Sequence, residues 1–174
     1  MRKTNYFLLF LLLFMAFFLG CEKTDDGTYT APITLYEKIG GNWKMYFLTQ
    51  VDEVAKVNNL QPVEVDLTSH FNFRTFLISL NVDSSFQPTT YAVTGSVPEL
   101  FAASGYWKLD EPYVHADQTA TNILLYSDEA KTLLTDKLAV VTLPGTKKLL
   151  DFSLTRMDNG TPFVSYVYEL KPAN

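Results

Sequence analysis

The chain has 174 residues, 47% of them hydrophobic, and its 14 basic against 19 acidic residues give a net charge of −5. That length suits one domain with a core of its own, while the acidic balance and scattered lysines exclude the basic stripe that nucleic acid requires. A single cysteine, Cys21, excludes an internal disulfide framework and a cysteine-based metal site.

The chain begins Met1, Arg2, Lys3 and then carries no charge from Thr4 to Gly20. Its apolar stretch, Phe7 to Leu19, is 13 residues long. A helix rising about 1.5 Å per residue needs roughly 20 to cross a hydrocarbon core about 30 Å thick. A basic start, a short apolar run and the small Gly20 at its end instead make a secretory leader over residues 1–20, which stands outside the fold. Phe18, Leu19, Gly20 and Cys21 resemble the box of bacterial lipoprotein signals, with Phe18 where an aliphatic residue is usual. The resemblance implies a diacylglycerol thioether on the Cys21 sulfur and an acylated Cys21 amine, so that a membrane is the first partner; two or more acyl chains anchor stably. Loss of residues 1–20 removes Arg2 and Lys3 and no acid, leaving 12 basic and 19 acidic residues, a net of −7.

Residues 21–32 read as an acidic, flexible tether, because Glu22, Lys23, Thr24, Asp25, Asp26 and Gly27 are too polar to bury surface. Acidic residues so soon after the cysteine are similar to the export signals of Bacteroidetes surface lipoproteins. That likeness implies the outer membrane and favours the cell surface over the periplasmic face. Residues 33–174 form one domain, uninterrupted by a linker, charge block or repeat. It opens with a short helix expected at Thr34 to Ile39. Eight strands follow, expected at Asn42 to Gln50, Phe73 to Val82, Thr89 to Thr94, Tyr106 to Asp110, Thr121 to Ser127, Leu138 to Leu143, Leu149 to Arg156 and Phe163 to Leu170. Alternation is clearest for Phe76, Ile78, Leu80 and Val82 and for Leu150, Phe152 and Leu154, each set on one face. Asn159 and Gly160 tolerate positive φ and predict a hairpin between the last two strands. Two further helical turns are expected, at Ser96 to Ala102 with Pro98 at its first position and at Asp128 to Leu134.

None of these helices is long enough to form a layer. An antiparallel sheet without covering helices closes on itself or packs on a second sheet, so barrel and sandwich are the two candidates. Gly41, Asn42 and Trp43, heading the first strand behind a short helix, resemble the GxW start of lipocalin-like barrels. Arg156, late in the penultimate strand, resembles the arginine that packs over the first-strand tryptophan in that family. The resemblance spans most of residues 33–174 and is to the lipocalin-like lipoproteins of unknown function found in Bacteroidetes. It implies an all-β fold, an antiparallel eight-stranded barrel with minor short helices, closed at one end by a cation–π pair of Trp43 and Arg156.

Such a barrel is either filled by side chains or holds one small ligand. Trp43, Met45, Phe47, Phe76, Tyr91, Trp107, Phe152, Tyr166 and Tyr168 on the more apolar faces favour a filled interior. Between Gly105 and Tyr113 aromatics alternate with charges. Tyr106, Trp107, Asp110, Glu111 and Tyr113 are the candidate ligand-binding residues, with aromatic faces to stack a sugar ring and carboxylates to accept from its hydroxyls. Packing within the sheet competes as the explanation of the same pattern. Asp110, Glu111, His115 and Asp117 crowd together without metal-ligand spacing, and Ser69 and His70, as strand neighbours, would point to opposite faces. No catalytic residue, metal or cofactor is assigned. Two functions stand: a membrane-anchored, non-catalytic module binding a glycan or a small apolar molecule, or a structural or protein-interaction subunit of an outer-membrane complex. An open pocket with convergent polar groups supports the first. A filled barrel with an exposed apolar loop, for which Val97, Leu100 and Phe101 are candidates, supports the second.

Overall fold

The computed structural model describes Gly27, residues 30–117 and residues 119–173. The chain divides into two units, residues 1–32 and residues 33–174. The expected leader, the expected lipid-attachment residue Cys21 and the acidic residues of the expected tether lie outside the described residues.

Local chemistry sets the start of the second unit. The Thr34 hydroxyl accepts from Glu37 N, and the Glu37 carboxylate accepts from Thr34 N at 2.9 Å. This capping box satisfies amides that a helix start leaves orphaned, and α1 (Leu35–Ile39) follows with Leu35 and Ile39 buried. β1 (Gly41–Asp52) leads directly into a second short helix, α2 (Glu53–Val57), which Asp52 caps by accepting from Ala55 N at 2.8 Å. Then come β2 (Glu64–Asp66), a 3₁₀ turn at Phe73–Thr75, β3 (Leu77–Val82), β4 (Pro88–Thr94), β5 (Ser104–Leu109), β6 (Asn122–Tyr126), β7 (Leu134–Thr142), β8 (Leu150–Asp158) and β9 (Thr161–Pro172).

Each strand from β3 to β9 pairs antiparallel with the next, and β1 pairs with both β3 and β9. The sheet therefore closes as an eight-stranded antiparallel barrel, as the resemblance implied, and the sandwich is excluded. β2 is a ninth strand laid on the far half of β1, opposite Thr49–Val51. One end of the barrel carries α1 and the β3–β4, β5–β6 and β7–β8 connections. The other end, the mouth, carries α2 and the β4–β5, β6–β7 and β8–β9 connections.

The structure corrects several expectations. A bulge at Tyr46 shifts the β1 register between Met45 and Phe47, so Phe47 turns out of the barrel at 38% exposure and Leu48 takes its place inside. One extra residue inverts every later position of a period-two pattern. Phe73 to Phe76 is a 3₁₀ turn and its exit, so β3 starts later than its apolar run suggests. No helix forms at 128–134: the Asp128 carboxylate takes the amides of Thr132 and Leu133, and Lys131 has φ +55°. Nor does 96–102 form one, because Ser96 N is donated to Thr75 Oγ1 and Phe101 turns into the barrel. α2 and β2 carried no sequence pattern strong enough to predict them.

Candidate functional site

The interior is filled. Trp107, Tyr91, Phe152 and Tyr168 are essentially fully buried among Ile78, Leu80, Leu125 and Leu138. Phe152 and Tyr168 stack at 4.8 Å, and the Trp107 indole donates to Asn81 O at 2.8 Å, which satisfies its one polar atom. Burial pushes the Tyr91 hydroxyl up to about 12, with the Asp136 carboxylate adding to the effect. Nearby Thr135 donates its hydroxyl to Leu125 O instead, and among the described residues Tyr91 Oη has no hydrogen-bond partner of adequate geometry.

The β4–β5 connection plugs the mouth. Phe101 is 7% exposed and meets the rings of Tyr168 at 5.9 Å, Phe76 at 6.4 Å and Phe152 at 6.5 Å. Arg156 clasps that connection, donating through Nη2 to Leu100 O and through Nη1 to Asp136 Oδ1 at 2.9 Å. Against the plug a crevice of about 10 Å³ is lined by Phe76, Tyr168 and residues of the β4–β5 connection, the room of a single water.

Outside the plug runs a shallow groove of about 270 Å³, walled by Leu67, Phe71, Phe73, Pro98, Leu100 and Tyr166. Phe71 stands on its rim, 67% exposed, with φ +51°, followed by Asn72 at φ +60°. Positive φ is costly for an aromatic residue, yet here it turns a large ring toward solvent. At the same end Val54, Val57 and Leu60 are also exposed. Phe71 lies before the strand expected from Phe73, and its local signal was Asn72, a residue that tolerates positive φ.

The expected site residues are dispersed. Trp107 is 0% exposed and packs in the core rather than standing on the surface beside Tyr106. Tyr106 lies on β5 between Thr90 and Tyr126. Tyr113 is exposed in the connection at the α1 end, and no ring contact joins it to Tyr106 among the described residues. Asp110 spends its carboxylate inside the protein, accepting from Asn122 N, Asn122 Nδ2 and Glu111 N. Burial alone would raise this carboxyl, but those hydrogen bonds, with His115 nearby, hold it below the ordinary value. Glu111 is exposed beside it. His115 Nε2 is 3.4 Å from Asp110 Oδ1 without hydrogen-bond alignment, while Asp117 holds Thr119. No group of three metal-ligating side chains occurs among the described residues.

Trp43 and Arg156 do not meet. Trp43 pairs with Pro172 of β9 and Arg156 with Val164, eight positions apart, or roughly 25 Å at about 3.3 Å per residue. An arginine side chain cannot span that. Trp43 instead donates its indole N–H to Ile39 O at 2.8 Å, fastening α1 to the barrel. Val97 and Leu100 are half-buried against the core and Phe101 is inside it, so the apolar loop expected to be exposed is the plug.

A closed, side-chain-filled, eight-stranded antiparallel barrel with a helix at one end fits a lipocalin-like fold. Within that class the model of a family described as a domain of unknown function, DUF5004, matches residues 18–171, and the chain belongs to that family. No curated protein and no solved structure matches the chain.

Proposed function

We propose that this chain is an outer-membrane lipoprotein, anchored through Cys21, whose barrel is a non-catalytic protein-interaction module that seats a partner's apolar segment in the groove at its mouth. The observation that carries the reading is the pairing of a filled interior with Phe71 displayed on an apolar rim. The crevice against the plug is about 10 Å³, and the groove outside it is smaller than the roughly 300–1,000 Å³ of small-molecule pockets, which supports an interaction face there over a carrier cavity. Aromatic side chains presented from a rigid scaffold are favoured anchors of protein interfaces. The leader reading supports the anchor, and the acidic tether favours display at the cell surface.

The interface is tested with a photo-crosslinking residue at position 71 in intact cells and, as control, at Phe86, an exposed aromatic at the α1 end. A discrete adduct is expected at 71 and not at 86, and it should vanish when Leu67 and Tyr166 in the groove walls are changed to Asp and Glu. Adducts of equal yield at both positions, or none at 71, would remove the interface. Labelled palmitate should enter the wild-type chain and not Cys21→Ser; equal incorporation would remove the anchor. Protease shaving of whole cells reads the exposed face, an uncut domain beside a cleaved surface protein placing it on the periplasmic side.

A further inference from the structure

Residues 33–174 hold eleven basic and sixteen acidic side chains, a net of −5, yet five of the eleven gather on one lip of the barrel. An open cleft of about 450 Å³ is lined by Lys44, Lys147, Lys148, Lys171, Leu149 and Pro172. A second, of about 350 Å³, shares Lys148 and Pro172 with it and adds Lys38 from the last turn of α1. The topology explains the convergence. Lys44 and Lys171 are cross-strand partners at the start of β1 and the end of β9, and the β7–β8 connection brings Lys147 and Lys148 over them. None of the five lysines is in an ion pair among the described residues, where Lys56–Glu53 and Arg156–Asp136 pair. Lys171 Nζ lies 3.1 Å from the ring centroid of Tyr46, itself 41% exposed.

Four lysine-bearing segments, α1, β1, β9 and the β7–β8 connection, meet here and no carboxylate lines either cleft, a costly arrangement for an acidic protein because like charges repel. The nearest acids on the same flank, Asp151 and Glu169, pair with each other across β8 and β9 in the next outward-facing row, away from the lip. Asp110, Glu111 and Asp117 lie on the β5–β6 connection, across the barrel, and Asp83 follows β3, on the other side of β1 from β9. The lysines thus mark one flank, β8–β9–β1, of the α1 end. That is also the end at which the barrel unit begins, residue 33 preceding α1 directly, and Ile33 there is 63% exposed.

We infer that the lysine lip docks onto the phosphate-bearing headgroups of an anionic lipid surface, laying the β8–β9–β1 flank toward the bilayer and turning the mouth away from it. The inference rests on the anchored reading above. A chain of twelve residues, 21–32, spans at most about 40 Å, so the lip is confined near the headgroups at high effective concentration. Weak contacts then suffice, each lysine near an anionic leaflet strengthening association about fivefold. Tyr46 beside Lys171 provides an aromatic body of the kind favoured at the membrane interface.

The test reconstitutes the full chain into nanodiscs of phosphatidylcholine, with and without phosphatidylglycerol, and follows hydrogen exchange over residues 38–44, 144–149 and 168–172. Protection of these segments is expected only with phosphatidylglycerol, falling with added salt and lost by tenfold or more in Lys147→Glu/Lys148→Glu. Equal protection in both discs, protection in neither, or retained protection in the double variant would overturn the proposal. So would protection of the detergent-solubilised chain by polygalacturonate with none from phosphatidylglycerol, which would assign the lip to a soluble polyanion. Co-fractionation of the double variant with membranes is read in parallel, because its loss would indict the anchor and its retention leaves the result to the lysines alone.

Discussion

Phe101→Ala removes the plug and should convert a filled barrel into one with a chamber at its mouth. The ring is 7% exposed and touches three other aromatic rings at 5.9–6.5 Å. Withdrawing it forfeits about 2 kcal/mol of apolar transfer. A void of about 100 Å³ at roughly 24 cal/mol per Å³ adds about 2 kcal/mol more, and the lost edge-to-face contacts about another 1 kcal/mol. Residues 95–103 are a connection rather than a strand and can settle inward, recovering part of this, so the expected loss is about 3 kcal/mol. Urea denaturation followed by tryptophan fluorescence measures it, with Phe86→Ala as a surface control expected to stay within about 0.5 kcal/mol. Xenon should enter the void of the variant and not the wild type. A loss below about 1 kcal/mol, with no xenon binding, would refute the assignment of Phe101 as the plug.

Three further outcomes follow from named side chains. Tyr91→Phe deletes a buried hydroxyl that has no hydrogen-bond partner among the described residues and should raise stability by about 1 kcal/mol in the same titration; a loss of that size would mean the hydroxyl is paired. Arg156→Ala frees the Leu100 carbonyl and strands the mostly buried Asp136 carboxylate, lowering stability by about 2 kcal/mol and speeding amide exchange across residues 95–103; unchanged exchange there would show that the clasp does not hold the plug. Burial, with the Asp151 carboxylate directly across, raises the Glu169 carboxyl above its ordinary 4.5. The folded state therefore holds that proton more tightly than the unfolded one, and the cost of the carboxylate is absent below pH 4.5 and grows as pH rises through the folded value. Glu169→Gln should accordingly stabilise by about 0.2–1 kcal/mol at pH 7 and by less at pH 4; the same difference at both would refute it.

The strand pattern was legible because alternation survives in any strand with one face in a core. Phe76, Ile78 and Leu80 turned inward together, as did Leu150, Phe152 and Leu154. The capped helix at Thr34 and the hairpin at Asn159 and Gly160 were legible for the same reason, their chemistry lying within a few residues. Phe47 was misplaced by a bulge, an insertion visible only against the partner strand. Trp107 looked like part of a binding platform because an aromatic between charges has the same spelling on either face of a sheet. The groove drew on residues from β1, the 67–73 segment, the β4–β5 connection and β9, and no local pattern announces such a meeting.

What the sequence determined by itself is the all-β character of the chain, its turns and the faces of its strands, since these depend on period, propensity and hydrogen bonds between near neighbours. The proposed leader before Cys21 likewise rests on a linear stretch. The tertiary structure alone decided that the barrel is filled, that Phe101 faces inward while Phe71 faces out, that Arg156 holds a loop rather than a tryptophan, and that five scattered lysines share one lip. Each depends on the register between strands distant in the chain. A shift of one residue there exchanges core for surface, and nothing along a single strand records it.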